Sequence, residues 1–181
     1  PYGDVNALRD VVDKDTAFVI LEPIQGESGI HVPPEGFLQE VRKVCDENDS
    51  LLIFDEIQSG LGRTGRMWAS EHWKTVPDIM CLAKGIAGGV PMGVTLVRPD
   101  ILSVMKKGEH SSTFGGNPLA CAAGTATLHA LTQDGLIENA KSIGEKFSNG
   151  LEELKSKHPI IREVRGKGLM IGVELKFEVK D

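Results

Sequence analysis

The sequence predicts an α/β fold: a mainly parallel sheet followed by the start of a smaller α+β unit. Three observations lead there. Two short, wholly apolar runs, Ala17–Leu21 (AFVIL) and Leu51–Phe54 (LLIF), read as strands buried on both faces. Between them Pro33 and Pro34 introduce a helix whose Phe37, Leu38, Val41, Val44 and Cys45 share one face, so strand, helix and strand form a βαβ unit. After two long helical stretches the strand character changes: Ile171, Val173, Leu175 and Phe177 alternate with Gly172, Glu174 and Lys176, as in a strand with one wet face.

The remaining elements follow in order. Asp4 is placed to cap a short helix carrying Val5, Leu8, Val11 and Val12. Ile79–Ala83 and Gly93–Val97 read as two further strands around a loop, Lys84–Pro91, that holds Gly85, Gly88 and Gly89. Pro99 and Asp100 start a short helix expected to end near Gly108. Pro118–Leu131 and Leu136–Leu154 are helical, the second with an apolar stripe of Leu136, Ile137, Ala140, Ile143, Phe147, Leu151 and Leu154. The change of character places a domain boundary near residues 120–135, drawn as 1–125, a large sheet domain, and 126–181, interdomain helices and the start of a second domain.

Composition narrows the function. Of 181 residues, 40% are hydrophobic and 25% charged, which excludes a disordered chain. The net charge of −6, without a Lys/Arg block, argues against nucleic acid or an anionic membrane as partner. No apolar run approaches the roughly 20 residues that cross a bilayer, and no signal peptide opens the chain. Cys45, Cys81 and Cys121 lack metal-ligand spacing and read as buried small hydrophobes in a reducing, cytoplasmic compartment. His31, His72, His110, His129 and His158 are scattered and form no cluster.

In an open parallel sheet, ligands gather at the carboxyl ends of the strands. Three polar segments fall there: Glu22–Gly29 (EPIQGESG), Asp55–Gly60 (DEIQSG) and Lys84–Gly89 (KGIAGG). The Asp55–Glu56 pair alone fits a Mg²⁺ site or a cap, although no GxxxxGK[ST] motif supports a nucleotide hydrolase. Lys84, after an apolar strand and before a glycine-rich loop, is expected inside a cleft. Burial there would favour the neutral amine that Schiff-base chemistry needs.

The combination is more specific than its parts. Glu-Pro-Ile-Gln-Gly-Glu, Asp-Glu-Ile-Gln, Ala-Lys-Gly and Ser-Thr-Phe-Gly-Gly-Asn-Pro follow one another, with Glu22, Asp55, Lys84 and Thr113 spaced 33, 29 and 29 residues apart. This order resembles the class III (ω-amino acid) aminotransferases, pyridoxal-phosphate enzymes of fold type I, from about Ala17 to Leu175. AKGIAGGVPMGV, GEHSSTFGGNPLACAAG and IREVRGKGLMIGVELK are most similar to the acetylornithine/acetyl-lysine branch, which includes enzymes acting on carrier-linked lysine or ornithine.

The resemblance implies roles. Lys84 would hold pyridoxal 5'-phosphate as a Schiff base and later shuttle the proton. Asp55 would pair with the pyridinium nitrogen and Gln58 would donate to the phenolic oxygen. Ser112 and Thr113 match a phosphate contact to the neighbouring subunit's cofactor, which implies a homodimer with composite active sites. Glu27 matches a carboxylate at the substrate end of the cleft, and Glu22 reads as support for the strand end. Ser28 stands where many relatives have glycine, and the Arg63–Gly65 turn reads as structural.

The implied reaction moves a terminal amino group from an N-acylated ornithine or lysine, free or on an amino-group carrier protein, to 2-oxoglutarate, in arginine or lysine biosynthesis. Ornithine, 4-aminobutyrate and diamine aminotransferases share the same motifs, and a non-catalytic fragment acting by dimerisation is the contrasting reading. The resemblance also implies a longer family chain, of which this sequence, opening on Pro1 without Met, holds the middle portion. The phosphate-binding turn, the ring-stacking aromatic and a C-terminal arginine of the family then lie outside it, so the isolated 181-residue stretch is not expected to transaminate.

Overall fold

In the computed structural model, which describes residues 1–176, a four-stranded sheet runs in the order β1 (Phe18–Leu21), β2 (Leu51–Asp55), β3 (Ile79–Leu82), β4 (Val94–Val97). β1, β2 and β3 are parallel, with Phe18 opposite Leu51 and Asp55 opposite Cys81. β4 turns back antiparallel to β3, because the link from Leu82 to Val94 is too short to hold a crossover helix. Asp4 caps α1 (Val5–Arg9) by accepting the Ala7 amide at 3.0 Å.

α2 (Phe37–Glu47) supplies the crossover and buries the face read from the sequence: Phe37, Leu38, Val41, Val44 and Cys45. Leu38 and Val41 join Leu52, Phe54, Ile24, Trp73 and Met170 in one apolar core. At roughly 25 cal/mol per Å² of apolar surface removed from water, each large side chain here contributes on the order of 2 kcal/mol. β2 shows how the layer is built, since Leu52 and Phe54 are fully buried while Leu51, Ile53 and Asp55 on the other face are half-buried.

The first strand departs from its expected double burial. Val19 and Leu21 pack on the core, but Phe18 and Ile20, on the opposite face, are 53% and 54% exposed. α2 packs on the Val19/Leu21 face, and because side chains alternate across a strand, the Phe18/Ile20 face gains no cover from it.

α3 (Pro99–Leu102) ends well before Gly108. Leu102, Val104 and Met105 are exposed, and a short helix without a packed face is not held by its backbone hydrogen bonds alone.

α4 (Pro118–Gln133), capped by Asn117, lies against the turn that follows Lys84, and α5 (Leu136–Lys157) follows it. The buried side of α5 is rotated from the apolar stripe. It runs through Ile137, Ala140, Gly144, Ser148 and Leu151, whereas Leu136, Ile143, Phe147 and Leu154 are exposed. Gly144 explains the rotation: a Cβ there would overlap the Gly168 carbonyl, so helix and hairpin meet backbone to backbone.

That hairpin pairs β5 (Ile161–Lys167) with β6 (Met170–Leu175). β5 is missing from the sequence reading because Arg162, Glu163 and Arg165 and an irregularity at Ile161/Glu163 break its alternation. β6 alternates as expected but with the opposite side covered. Met170 is buried, and a Cβ on Gly172 would lie 3.0 Å from the Gly29 carbonyl, while Val173 and Leu175 are each 40% exposed. Phe177 lies outside the described residues. No helix among the described residues is long and apolar enough to cross a membrane.

Candidate active site

β2 and β3 end side by side, and the turns that follow them build the site. The Glu56 amide donates to the Cys81 carbonyl at 3.0 Å, the last rung before the two chains diverge. Three residues beyond Asp55 comes Gln58, and three beyond Cys81 comes Lys84. Both line one cavity of about 370 Å³, with Ile57, Leu61, Arg63 and Thr127 among its other walls. The sheet's parallel register thus brings together two residues 26 positions apart in the chain.

Lys84 has a left-handed backbone (φ 48°), a conformation that costs a non-glycine residue about 1 kcal/mol or more and gathers at functional sites. It opens a 3₁₀ turn, Lys84–Ala87, anchored by buried Ile86 and Ala87. The lysine is exposed at the cavity edge rather than buried, contrary to the expectation from its strand-end position. α4 closes the other side through Thr127 and Leu131.

Asp55 is half-buried. Its Oδ1 accepts the Ile57 amide at 3.0 Å, and Oδ2 has no hydrogen-bond partner among the described residues. Burial, reinforced by the Asp55 carboxylate, pushes the neighbouring Cys81 thiol up from its ordinary pKa. Asp55 is not among the lining residues of the Lys84 cavity, although its strand end forms part of the same edge.

Glu56, unassigned from the sequence, is the buried one of the pair. It is fully buried and accepts Ser59 Oγ at 2.7 Å, the Ala69 amide at 2.9 Å and the Ser70 amide at 2.8 Å. These bonds tie the turn carrying Gln58 to the 3₁₀ turn Ala69–Trp73. A run of Asp-Glu with Ser three residues on is the local signal for such a carboxylate-anchored turn.

The Glu22–Gly29 segment lies against Gln58. A Cβ on Gly26 would come within 2.6 Å of the Gln58 amide, so only glycine lets the two loops meet there. Glu22 accepts the Gly26 amide at 2.9 Å; burial, reinforced by the Glu22 carboxylate, raises the pKa of Tyr2, whose hydroxyl donates to the Pro23 carbonyl at 2.8 Å. Glu27 is exposed and outside the cavity. Its loop is held by Arg165, whose Nε donates to the Gly29 carbonyl at 3.0 Å, and by the His31 ring, 2.9 Å from the Ser28 carbonyl.

Ser112 and Thr113 are not brought to Lys84. Both are exposed, Ser112 Oγ accepting the Gly115 amide at 3.0 Å. Conversely, Arg63, read as part of a structural turn, lines the Lys84 cavity while its carbonyl accepts the Leu169 amide at 2.9 Å. The cavity therefore offers an amine, an amide and a guanidinium beside a carboxylate-bearing strand end. That set can bind an anionic carbonyl compound and exchange a proton with it.

The chain belongs to the class-III aminotransferases, whose family model matches residues 2–181. It is 52% identical over 175 residues to the acetylornithine aminotransferase of Methanopyrus kandleri, covering 97% of this chain and 44% of the relative. The ornithine aminotransferase of a Geobacillus species is likewise 52% identical over 176 residues, with 97% and 44% covered. Among solved structures, the ornithine aminotransferase of Toxoplasma gondii, described with partial occupancy of PLP at its active site, superimposes with a TM-score of 0.93 at 44% identity, covering 97% of this chain and 42% of that one. The acetylornithine aminotransferase of Elizabethkingia anophelis gives 0.93 at 41% identity, with 98% and 45% covered. The architecture is thus part of fold type I, and the chain spans less than half the length of these relatives.

Proposed function

We propose that the polypeptide containing this chain is a pyridoxal-phosphate-dependent aminotransferase that moves a terminal amino group from an N-acylated ornithine or lysine to 2-oxoglutarate. The observation that carries the reading is the shared cavity of Gln58 and Lys84 at adjoining parallel strand ends, with Lys84 in a strained backbone conformation. The donor set fits the cofactor: an amine for its aldehyde, a carboxylate with a free oxygen for its ring nitrogen, and an amide for its phenolic oxygen. When bound, the cofactor supplies an electron sink for the carbon that loses a proton.

The chain's own residues do the rest. Lys84 Nζ takes and returns that proton, its backbone turn setting where the amine sits. Asp55 keeps the ring nitrogen protonated. Gln58, pinned by Gly26 and by the Glu56-anchored turn, donates without adding charge. Glu27 faces substrate from a loop that Arg165 holds. Ser112 and Thr113, exposed on their own loop, contact phosphate in a partner subunit, which makes the assembly a homodimer with composite sites.

The division at 125/126 belongs to the same proposal; it falls within α4, a helix that touches the Lys84 turn and then leads into α5. So do the cytoplasmic location, a role in arginine or lysine biosynthesis and delivery of the donor on a carrier protein. A second reading, ornithine itself as donor, is supported by the equal identity to ornithine aminotransferases. An amine-donor panel decides, run on the longest polypeptide in which this sequence occurs and read by glutamate formation. N-acetylornithine or N-acetyllysine outpacing ornithine and 4-aminobutyrate supports the first reading. Absence of glutamate from every donor overturns both.

A further inference from the structure

The turn that gives Arg63 to the Lys84 cavity gives its next three residues, Thr64, Gly65 and Arg66, to a second cavity of about 520 Å³. We propose that this second cavity is a binding site for a small multivalent oxyanion of the phosphate type, separate from the site of amino transfer. Its charge is the first argument. Arg66 from the turn, Lys141 from α5 and Lys167 from β5 converge there against a single carboxylate, Glu145, in a chain whose net charge is −6. Neither Arg66 nor Lys167 has an ion-pair partner among the described residues, and Lys141 has only a loose 3.8 Å contact with exposed Glu138. Like charges gathered from three elements give the cavity a positive local potential that attracts an anion.

The walls are the second argument. The three elements that wall the cavity meet backbone to backbone, since a Cβ on Gly144 would overlap Gly168 and one on Gly168 would overlap Thr64. Lys167 is held on its wall with Nζ 5.4 Å from the centre of the Trp73 ring. Ser148 and Asn149 add neutral donors. The backbone walls and Lys167 are in place before a ligand arrives, while exposed Arg66 and Lys141 close on it from the rim.

His72 acts as a built-in reporter. Its Nε2 lies 3.1 Å from both the carbonyl and the Oγ1 of Thr64. Burial, then the charges of Lys167 and Arg66, hold the ring below its ordinary pKa, while the Thr64 carbonyl and Glu71 pull the other way. An anion that neutralises Lys167 and Arg66 removes the repulsion and raises the His72 pKa. By linkage the anion binds more tightly as pH falls through that range.

The test is titration of the longest polypeptide in which this sequence occurs with inorganic diphosphate at low salt, by calorimetry and by NMR of the His72 ring. Saturable binding at one site is expected, with the His72 pKa moving up on saturation. Arg66→Gln with Lys167→Gln weakens binding by about tenfold or more, Glu145→Gln on the exposed helix face tightens it severalfold, and Lys84→Ala leaves it unchanged. No saturable binding overturns the proposal. So does unchanged affinity in the folded double variant, or loss of binding in Lys84→Ala, which would place the anion in the other cavity. If the double variant does not fold, Glu145→Gln decides: tighter binding supports the site, and unchanged binding rejects it.

Discussion

The turn after β2 and the loop at 103–117 carry residues proposed for the same cofactor, yet they are held in opposite ways. Around Gln58 the chain is fixed by its own interior: Glu56 is fully buried on three hydrogen bonds, and Gly26 and the cavity walls close on the amide. Around Thr113 almost nothing is covered, with Phe114 80% and Val104 73% exposed, and the turn is shaped by local bonds alone, Gly115 to Ser112 and Asn117 to the Phe114 carbonyl. The first region is assembled by this chain. The second presents side chains outward, which leaves them free for the partner-subunit contact proposed above.

That contrast can be broken at its strongest point. Glu56→Ala leaves the Ser59 hydroxyl and the Ala69 and Ser70 amides without their buried acceptor, and a loss of about 3–5 kcal/mol is expected in urea unfolding. A loss below about 1 kcal/mol would mean the turn is not held from inside. Next comes the support behind it. Gly168 has φ 55° and packs on the Thr64 backbone, so Gly168→Ala is expected to cost about 2–4 kcal/mol in the same measurement.

A smaller effect is pH-dependent. The His72 pKa is lower folded than unfolded, so between the two values the unfolded chain binds more protons. This part of the stability is complete above the ordinary histidine value of 6.5 and is lost as pH falls toward the folded value. Facing the ring are Lys167, Arg66, Glu71 and Thr64; with His72→Gln, melting temperature should fall less steeply with acidification than in the wild type. The smallest effect belongs to the other region. Ser112→Ala and Thr113→Ala should change unfolding free energy by no more than about 0.5 kcal/mol, because neither side chain is buried.

The same contrast explains how much the sequence disclosed. Core strands and α2 were readable because each buried residue obeys a simple period, as Leu38, Val41 and Cys45 do. Four motifs that keep their order along the chain drew attention to Lys84 and Gln58, and these two share a cavity. Elements governed by backbone contact were not. α5 turns Gly144 inward and leaves Phe147 out, and β6 covers Gly172 and exposes Val173. Hydrophobic pattern weighs side chains, whereas these faces are chosen where glycine lets two backbones touch. Glu56 was hidden for a related reason: beside Asp55 it looks like a second functional carboxylate, and only three-dimensional contact reveals it as the anchor of the turn.

The central claim, that Lys84 is the cofactor lysine, is tested most directly by incubation with pyridoxal phosphate, borohydride reduction and peptide mapping. The adduct is expected on the peptide containing Lys84 and should disappear in Lys84→Ala. Reproducible labelling of a different lysine, with Lys84 unmodified, would contradict the account.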